Sequence, residues 1–270
     1  MNNLLQGKRG IIFGALDENS IAWKVALKAH EQGARFTLTN APVALRMGEI
    51  NKLAQHCNTT VIGADATSVE DLEKLVQQSV EQLGGKLDFV LHSVGMSPNV
   101  RKGKTYTDIN YEWFQKTIDI SALSLHKTLQ VCTKHDALNE WGSVVALTYI
   151  AAQRAFPGYG DMADAKAMLE SIVRSFGYYY GNLKKVRVNA VSQSPTMTTA
   201  GSGIKGFDSF FGFADKMSPL GNAPAENCAD YCITLFSDLT RYVTMQTLYH
   251  DGGFSNIGVS EAVMNEFGKE

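Results

Sequence analysis

Tyr149, Tyr159 and Lys166 are the residues whose types and spacing could do chemistry, in the run YIAAQRAFPGYGDMADAK. A tyrosine hydroxyl can give a proton or a hydrogen bond to a carbonyl or a developing oxyanion. A lysine ammonium beside it lowers the phenol's pKa and can hold ribose hydroxyls. Tyr159 and Lys166 are seven residues apart, two turns of a helix, so the spacing predicts both side chains on one helical face. A bare pair of this kind recurs by chance, and its meaning depends on what surrounds it.

Such a pair needs a partner molecule to act with, and the start of the chain offers a place for one. An apolar stretch at 9–13 leads into Gly14-Ala15-Leu16-Asp17-Glu18-Asn19-Ser20-Ile21-Ala22 and then a helical pattern. A dinucleotide's pyrophosphate rests on backbone N–H groups at a helix N-terminus in this setting. Gly14 alone remains of the usual three-glycine fingerprint. A Gly and a Ser in a strand-to-helix turn commonly serve only as turn and cap. The second strand ends in Thr39-Asn40-Ala41-Pro42, without the acid that would bind a ribose 2′-hydroxyl. Arg46 follows a turn later and could meet a 2′-phosphate, or simply be a solvated helix residue. Asp65, at the end of the third strand, can accept from an adenine amino group. Gly95, in His92-Ser93-Val94-Gly95, permits close backbone approach to a bound nucleotide.

The elements that must position these residues follow a regular rhythm. Strand candidates at 9–13, 35–39, 60–64, 89–94, 143–148, 186–191 and 247–250 are rich in Val, Ile, Leu and Phe, and several are apolar almost throughout, the pattern of strands buried on both faces. Helical patterns fill the gaps at 21–32, 43–56, 68–83, 112–134, 159–180 and 225–238. Gly33, Pro42 and Ser68 stand at helix boundaries where a C-terminal glycine, a first-turn proline and a hydroxyl cap belong. This alternation predicts one α/β domain over 1–270, a Rossmann fold with a doubly wound parallel seven-stranded sheet and helices on both faces. Residues 192–219 break the rhythm with a polar, Gly-containing start followed by Phe207, Phe210, Phe211 and Phe213, which suggests a lid over a ligand. With few apolar contacts at its start, such a lid would be mobile until ligand orders it.

Composition bounds the function classes. The 270 residues carry 25 Lys+Arg and 27 Asp+Glu, net −2, so there is no global electrostatic case for nucleic acid or an acidic membrane surface. No apolar run reaches the roughly 18 residues of a membrane span. The opening MNNLLQGKRGIIFGA has no apolar signal segment, which predicts a cytoplasmic protein. Cys57, Cys132, Cys228 and Cys232 form no zinc-ligand pattern, so no metal is expected and the thiols read as core residues in a reducing compartment.

Together the tyrosine–lysine pair and the nucleotide turn resemble the short-chain dehydrogenase/reductase superfamily. That superfamily normally spaces its residues Y-x3-K, with a Ser 13 before the Tyr. Here the spacing is Y-x6-K, position 146 is Ala, and Tyr149 stands ten before Tyr159. These departures are similar to one branch, the enoyl-acyl carrier protein reductases of bacterial fatty-acid synthesis. The similarity runs nearly end to end: Gly14…Ser20-Ile21-Ala22, His92-Ser93-Val94-Gly95, Asp119-Ile120-Ser121, Arg154-x-Phe156-Pro157-x-Tyr159, Val186-Arg187-Val188-Asn189-Ala190, Ala200-x-Ser202-Gly203-Ile204-Lys205 and Asp251-Gly252-Gly253-Phe254.

The resemblance implies NAD(P)H-dependent reduction of the trans-2 double bond of an enoyl thioester on acyl carrier protein, the last step of each elongation cycle, by a homotetramer. NADH is the expected cofactor, with NADPH possible. By resemblance, Tyr159 hydrogen-bonds the thioester carbonyl, Tyr149 is the second active-site tyrosine and Lys166 is a cofactor-ribose ligand. Gly14, Ser20, Ile21, Ala41, Asp65, Ala66 and Val94 fall on cofactor positions. Thr196, Met197, Thr198, Thr199 and Ala200 match the segment covering nicotinamide and pyrophosphate, with Thr198 the phosphate ligand, and Ser97 aligns with a substrate-side position. Ser194 replaces the usual Gly before Pro195, and Ala41 replaces a polar residue near the adenosine ribose. Asp161 and Asp164 read as solvated residues at a helix N-terminus. The phenylalanines of 207–213 and Met217 suit either an acyl pocket or plain core packing. The apolar last strand and Gly252-Gly253 suggest close approach at a subunit contact. A 3-ketoacyl thioester reductase and an inactive nucleotide-binding homologue are the alternatives; Ala146 argues against the first, and the intact Tyr149, Tyr159 and Lys166 against the second.

Overall fold

The computed structural model describes residues 3–46, 49–202 and 206–268, with backbone alone at Ala200 and Ser202. In chain order the elements are β1 (Arg9–Phe13), α1 (Ile21–Glu31), β2 (Arg35–Thr39), α2 (Pro42–Leu45), α3 (Glu49–His56), β3 (Thr60–Val61), α4 (Val69–Leu83) and β4 (Leu87–His92). There follow α5 (Pro98–Arg101), α6 (Tyr111–Ile118), α7 (Ser124–Lys134), β5 (Leu138–Thr148), α8 (Asp161–Lys184) and β6 (Arg187–Gln193). The chain closes with α9 (Thr199–Ser202), α10 (Phe207–Met217), α11 (Ala225–Phe236), β7 (Thr247–His250) and α12 (Glu261–Phe267).

All seven strands are parallel, in the order β3-β2-β1-β4-β5-β6-β7. The sheet predicted by the sequence is therefore the one observed. Its strands read as continuous apolar runs because helices cover both faces. Residues of α1 and α11 with Phe36, Phe89 and Phe236 form one core layer; residues of α4, α7 and α8 with Val90, Val144 and Val188 form the other. The strand order reverses between β1 and β4, so the loops after them part and open a crevice at the carboxyl edge of the sheet.

Several boundaries differ from the sequence reading. The helix expected over 112–134 is two helices joined by a π-helical turn, Asp119–Leu123. Ser121 Oγ holds that turn to the loop after β4, accepting from Met96 N at 3.0 Å and donating to Met96 O at 3.2 Å. Strand β5 starts at Leu138, five residues early, and is irregular opposite Leu87–Phe89, where Trp141 has φ +63°. The helix expected at 159–180 runs from Asp161 to Lys184, leaving Tyr159 in the turn before it. The expected lid range begins with the last two residues of β6 and is then largely helical, as α9 and α10.

Gly252 makes a close backbone approach within this chain. A Cβ on Gly252, at φ +65°, would lie 2.0 Å from Gly221 O, so this backbone crossing admits only glycine. Residues 219–221 and 252–253 thereby brace the far end of α10 against the last strand. Among the described residues no helix is long and apolar enough to cross a membrane. The four cysteines are buried free thiols.

Candidate active site

The crevice is a continuous cavity of about 1250 Å³ over the carboxyl ends of β1, β4, β5 and β6. That exceeds the roughly 300–1,000 Å³ typical of a pocket for one small ligand. At one end its wall is the turn after β1. Gly14 has φ +89°, and a Cβ there would lie 1.9 Å from Ser93 O, so the turns after β1 and β4 meet backbone to backbone. Ser20 shapes the turn: its hydroxyl accepts from Leu16 N at 3.2 Å and donates to Asp17 O at 2.7 Å, and makes no side-chain cap bond to α1. Ile21, Ala41, Asp65, Ala66 and Val94 also line this end. Asp65 is exposed and accepts from Thr67 N at 2.9 Å. Arg46 is exposed and off the wall, so the end of β2 presents Asn40, Ala41 and Val43 to the cavity and no charge.

Tyr149, Tyr159 and Lys166 meet in the middle of the cavity. Tyr149 follows the last residue of β5. Its ring centroid lies 5.2 Å from that of Tyr159, 5.4 Å from Phe156 and 6.5 Å from Phe210. Neither tyrosine hydroxyl has a hydrogen-bond partner among the described residues. Burial pushes the pKa of both phenols up. This reverses the expectation that the lysine lowers it, since removal of the phenol from water sets the direction. Both tyrosines are neutral hydrogen-bond donors at physiological pH. Lys166, on the second turn of α8, is buried and donates to Leu147 O at 2.8 Å. Burial lowers its pKa to about 8, and Glu170 one turn along partly offsets that.

Glu170 has no role in the sequence reading, although its place four residues after Lys166 marks the same helical face. Its buried carboxylate accepts from Thr148 Oγ1 at 2.9 Å and from Gln153 Nε2 at 2.8 Å, while Tyr249 OH donates to Gln153 Oε1 at 2.5 Å. The loop that carries Tyr149 is thus fastened on both sides to α8 and β7. His92 is also buried, and burial, then Lys166, depress its pKa to about 3. It is a neutral ring bonded through Nε2 to Ser124 Oγ at 2.8 Å.

Other expectations are corrected. Asp161 is completely buried, not solvated, and accepts from Ser97 Oγ at 2.6 Å, Asn99 Nδ2 at 2.8 Å and Thr117 Oγ1 at 2.8 Å. Asp164 is half-buried, with Tyr106 OH at 3.4 Å, and burial raises its pKa. Ser97 lies on the cavity wall, but its hydroxyl is committed to Asp161 and to Val100 N at 3.0 Å.

In the segment after β6, Thr196, Thr198 and Thr199 line the cavity, whereas Met197 is 53% exposed and off the wall. Ala200 lies in α9. Thr199 Oγ1 donates to Asp17 Oδ2 at 2.5 Å, bridging the cavity from the segment after β6 to the β1 turn. Ser194 uses the side chain that the usual Gly lacks: its Oγ accepts from Ala223 N at 2.7 Å and ties the end of β6 to the chain after α10. Phe207, Phe210 and Phe213, one face of α10, line the other end of the cavity; Phe211 and Met217 do not. In the motif Ala200–Lys205, residues 203–205 lie outside the described residues. Among the described residues no group of three His, Cys, Asp or Glu side chains is placed to hold a metal ion.

A family model described as enoyl-(acyl carrier protein) reductase matches residues 14–255. An enoyl-[acyl-carrier-protein] reductase [NADH] of Rhizobium meliloti is 33% identical over 94% of each chain. The crystal structure of the FabI-NADH complex from Alistipes finegoldii superimposes with a TM-score of 0.97 at 64% identity, covering 99% of this chain and 94% of that one. The enoyl-[acyl-carrier-protein] reductase (NADH) of Aquifex aeolicus gives a TM-score of 0.87 at 31% identity, covering 95% of this chain and 99% of that one.

Proposed function

The chain belongs to the enoyl-(acyl carrier protein) reductase family, and on that premise we propose that it reduces the trans-2 double bond of enoyl thioesters carried by acyl carrier protein, with NADH as the reductant. One observation carries the reading. Two tyrosine rings, whose hydroxyls have no partner among the described residues, stand side by side and line one cavity with a buried lysine, between a wall with a glycine-only turn and a wall of phenylalanines. One end fits a dinucleotide and the other an acyl chain. The reading makes 1–270 a single domain with 192–219 as its substrate lid, working in the cytoplasm at the last step of each elongation cycle.

The fit to a dinucleotide rests on Gly14 and Lys166. The backbone after β1 is open to a phosphate because no side chain can stand at Gly14. Lys166 holds a ribose with its ammonium, and Ser20, Ile21, Asp65, Ala66, Val94 and the threonines of 196–199 line the remainder. When bound, NADH supplies a hydride to the β-carbon of the enoyl thioester. Negative charge then builds on the thioester oxygen, where Tyr159, kept neutral by burial, donates its hydrogen bond. Tyr149 packs against that ring and presents a second donor to the same space. The resulting enolate takes a proton from solvent at the α-carbon, which completes the saturated thioester. Phe207, Phe210 and Phe213 take the acyl chain, and closure of α9 and α10 keeps water from the reacting carbons.

The test is oxidation of NADH and of NADPH with crotonyl and acetoacetyl thioesters. The crotonyl thioester is consumed and the acetoacetyl one is not, because Ala146 supplies no hydroxyl for ketone reduction. NADH is used at least about 10-fold more efficiently than NADPH, because no cation on the cavity wall near Ala41 offsets desolvation of a 2′-phosphate. Turnover of the ketone, or cofactor binding without any turnover, refutes the reading.

The reading also makes the protein a homotetramer. Exposed apolar side chains on the second half of α8, Tyr178 at 57%, Tyr179 at 72% and Leu183 at 64%, suit a subunit contact. Light scattering at micromolar concentration gives four times the 29.5 kDa chain mass; a monomer mass refutes this part.

A further inference from the structure

We propose that Asp161 is a positioning residue for Tyr159, acting through a buried polar clamp made with Ser97, Asn99 and Thr117. This rests on the reading of Tyr159 given above. The Asp161 carboxylate is inaccessible to solvent, and among the described residues no lysine or arginine lies within ion-pairing distance. It depends instead on three neutral side chains, of which Ser97 and Asn99 donate to it outright and Thr117 Oγ1 shares its one proton between Asp161 and Trp113 O at 2.9 Å. Ser97 Oγ reaches Oδ1; Asn99 Nδ2 and Thr117 Oγ1 reach Oδ2. The Asn99 amide is oriented by its other bonds, since Oδ1 accepts from Asn110 N at 3.0 Å and Nδ2 also reaches Asn110 O at 3.1 Å. Asp161 is the first residue of α8, where the helix terminus favours negative charge.

Burying a carboxylate is costly even when it is fully hydrogen-bonded, and an apolar residue of similar size could join the same elements at less cost. What the carboxylate adds is direction. It joins the loop after β4, helix α5 and helix α6 to a residue two positions after Tyr159. The clamp's partners are sequence neighbours of the residues that touch the tyrosine's surroundings. Val100 follows Asn99, Ile118 follows Thr117 and Met162 follows Asp161, and these three pack with Ala165 and the Tyr159 ring in one small apolar cluster. Gly160, between the two residues at φ +49°, sits within 3.5 Å of Val100 Cγ2 when given a Cβ. Each clamp bond therefore fixes one side of the setting in which the Tyr159 hydroxyl is aimed. A misplacement of about 1 Å at such a group can cost about 100-fold in rate.

The experiment is a double-mutant cycle. Asp161→Ala and Asp161→Asn are made in the native chain and in Tyr159→Phe, with kcat, NADH affinity by calorimetry and melting temperature measured for each. In the native background Asp161→Ala lowers kcat by about 10-fold or more, with Asp161→Asn between, and the Kd for NADH stays within about twofold. In the Tyr159→Phe background the same changes cost less than about twofold further, because the group being aimed is gone. If Asp161→Ala does not fold, Asp161→Asn and Thr117→Val carry the same cycle. Equal fold-losses in the two backgrounds, or an unchanged kcat in the native one, overturn the proposal alone. Full activity in Tyr159→Phe overturns the reading of Tyr159 and this proposal with it.

Discussion

Replacing Tyr159 by Phe lowers kcat by about 100- to 1,000-fold and leaves NADH affinity within about twofold. The figure follows from what one donor to a developing oxyanion is worth, about 2.7–4 kcal/mol in a water-excluded site. The substitution removes only a hydroxyl that no described protein group uses, so the ring keeps its packing on Tyr149, Met162 and Val100 and the fold loses little. Burial keeps the phenol protonated, so activity should show no rising limb from tyrosine ionisation between pH 6 and 9. Steady-state kinetics alongside calorimetry checks both statements. Unchanged kcat/KM in Tyr159→Phe assigns the oxyanion to another donor, and Tyr149 is the nearest one.

For Lys166→Ala the first loss is in NADH binding. A charge-assisted hydrogen bond in a buried site is worth about 1.5–3 kcal/mol, so Kd rises by about 10- to 150-fold. In the native enzyme the same contact titrates. Below about pH 8 the ammonium is present and affinity is at its plateau; above it the amine is neutral and affinity falls. Stability runs the other way. The folded pKa, about 8, lies below the unfolded value of 10.5, so between these values the unfolded chain holds the extra proton. The burial penalty is present in full below pH 8 and is relieved as pH rises through the window. NADH affinity that falls while this lysine's contribution to stability rises cannot be general unfolding. Calorimetric titrations and melting curves at pH 7 to 10 read the two trends. A flat affinity profile, or one that Lys166→Ala shares, removes Lys166 from the binding role.

The seven strands and their parallel, helix-covered sheet were legible because they depend on patterns that short segments express by themselves. Continuous apolar runs mark two-sided burial, and Gly14 marks the turn after the first of them. The misplacements come from forces that act between segments. The apolar pattern places the fifth strand at 143–148, yet the chain pairs from Leu138 and absorbs Trp141 at positive φ in an irregular strand. Two helical turns from Tyr159 to Lys166 suggest a shared helix, whereas Gly160 starts the helix late and tertiary packing brings the tyrosine in. An aspartate in the first turn of a helix reads as solvated. Only the positions of Ser97, Asn99 and Thr117, each distant in sequence, bury Asp161. Met197 matched a run of site positions, but it is off the wall while Thr196, Thr198 and Thr199 line it, and resemblance by run cannot say which residue faces in.

The π-helical turn at Asp119–Leu123 bears on how chains of this kind can change length. An α-helix advances about 100° per residue, so one residue added within a regular helix swings everything beyond it to a new face. A wide turn stores one residue off the regular phase. Here the stretch before it directs Thr117 to the Asp161 clamp, and the stretch after it directs Ser124 to His92 and Leu125 and Leu129 to the core. The two stretches need different phases, and the turn is the joint between them. A deletion of one residue inside 119–123 would restore a regular helix and withdraw Ile120 from the cavity wall and Ser121 from the loop after β4. The same deletion a turn earlier or later would leave the joint intact but rotate one of its two flanks away from its partners. Gaps between related chains are therefore least tolerated along this helix, even though much of its outer surface faces solvent.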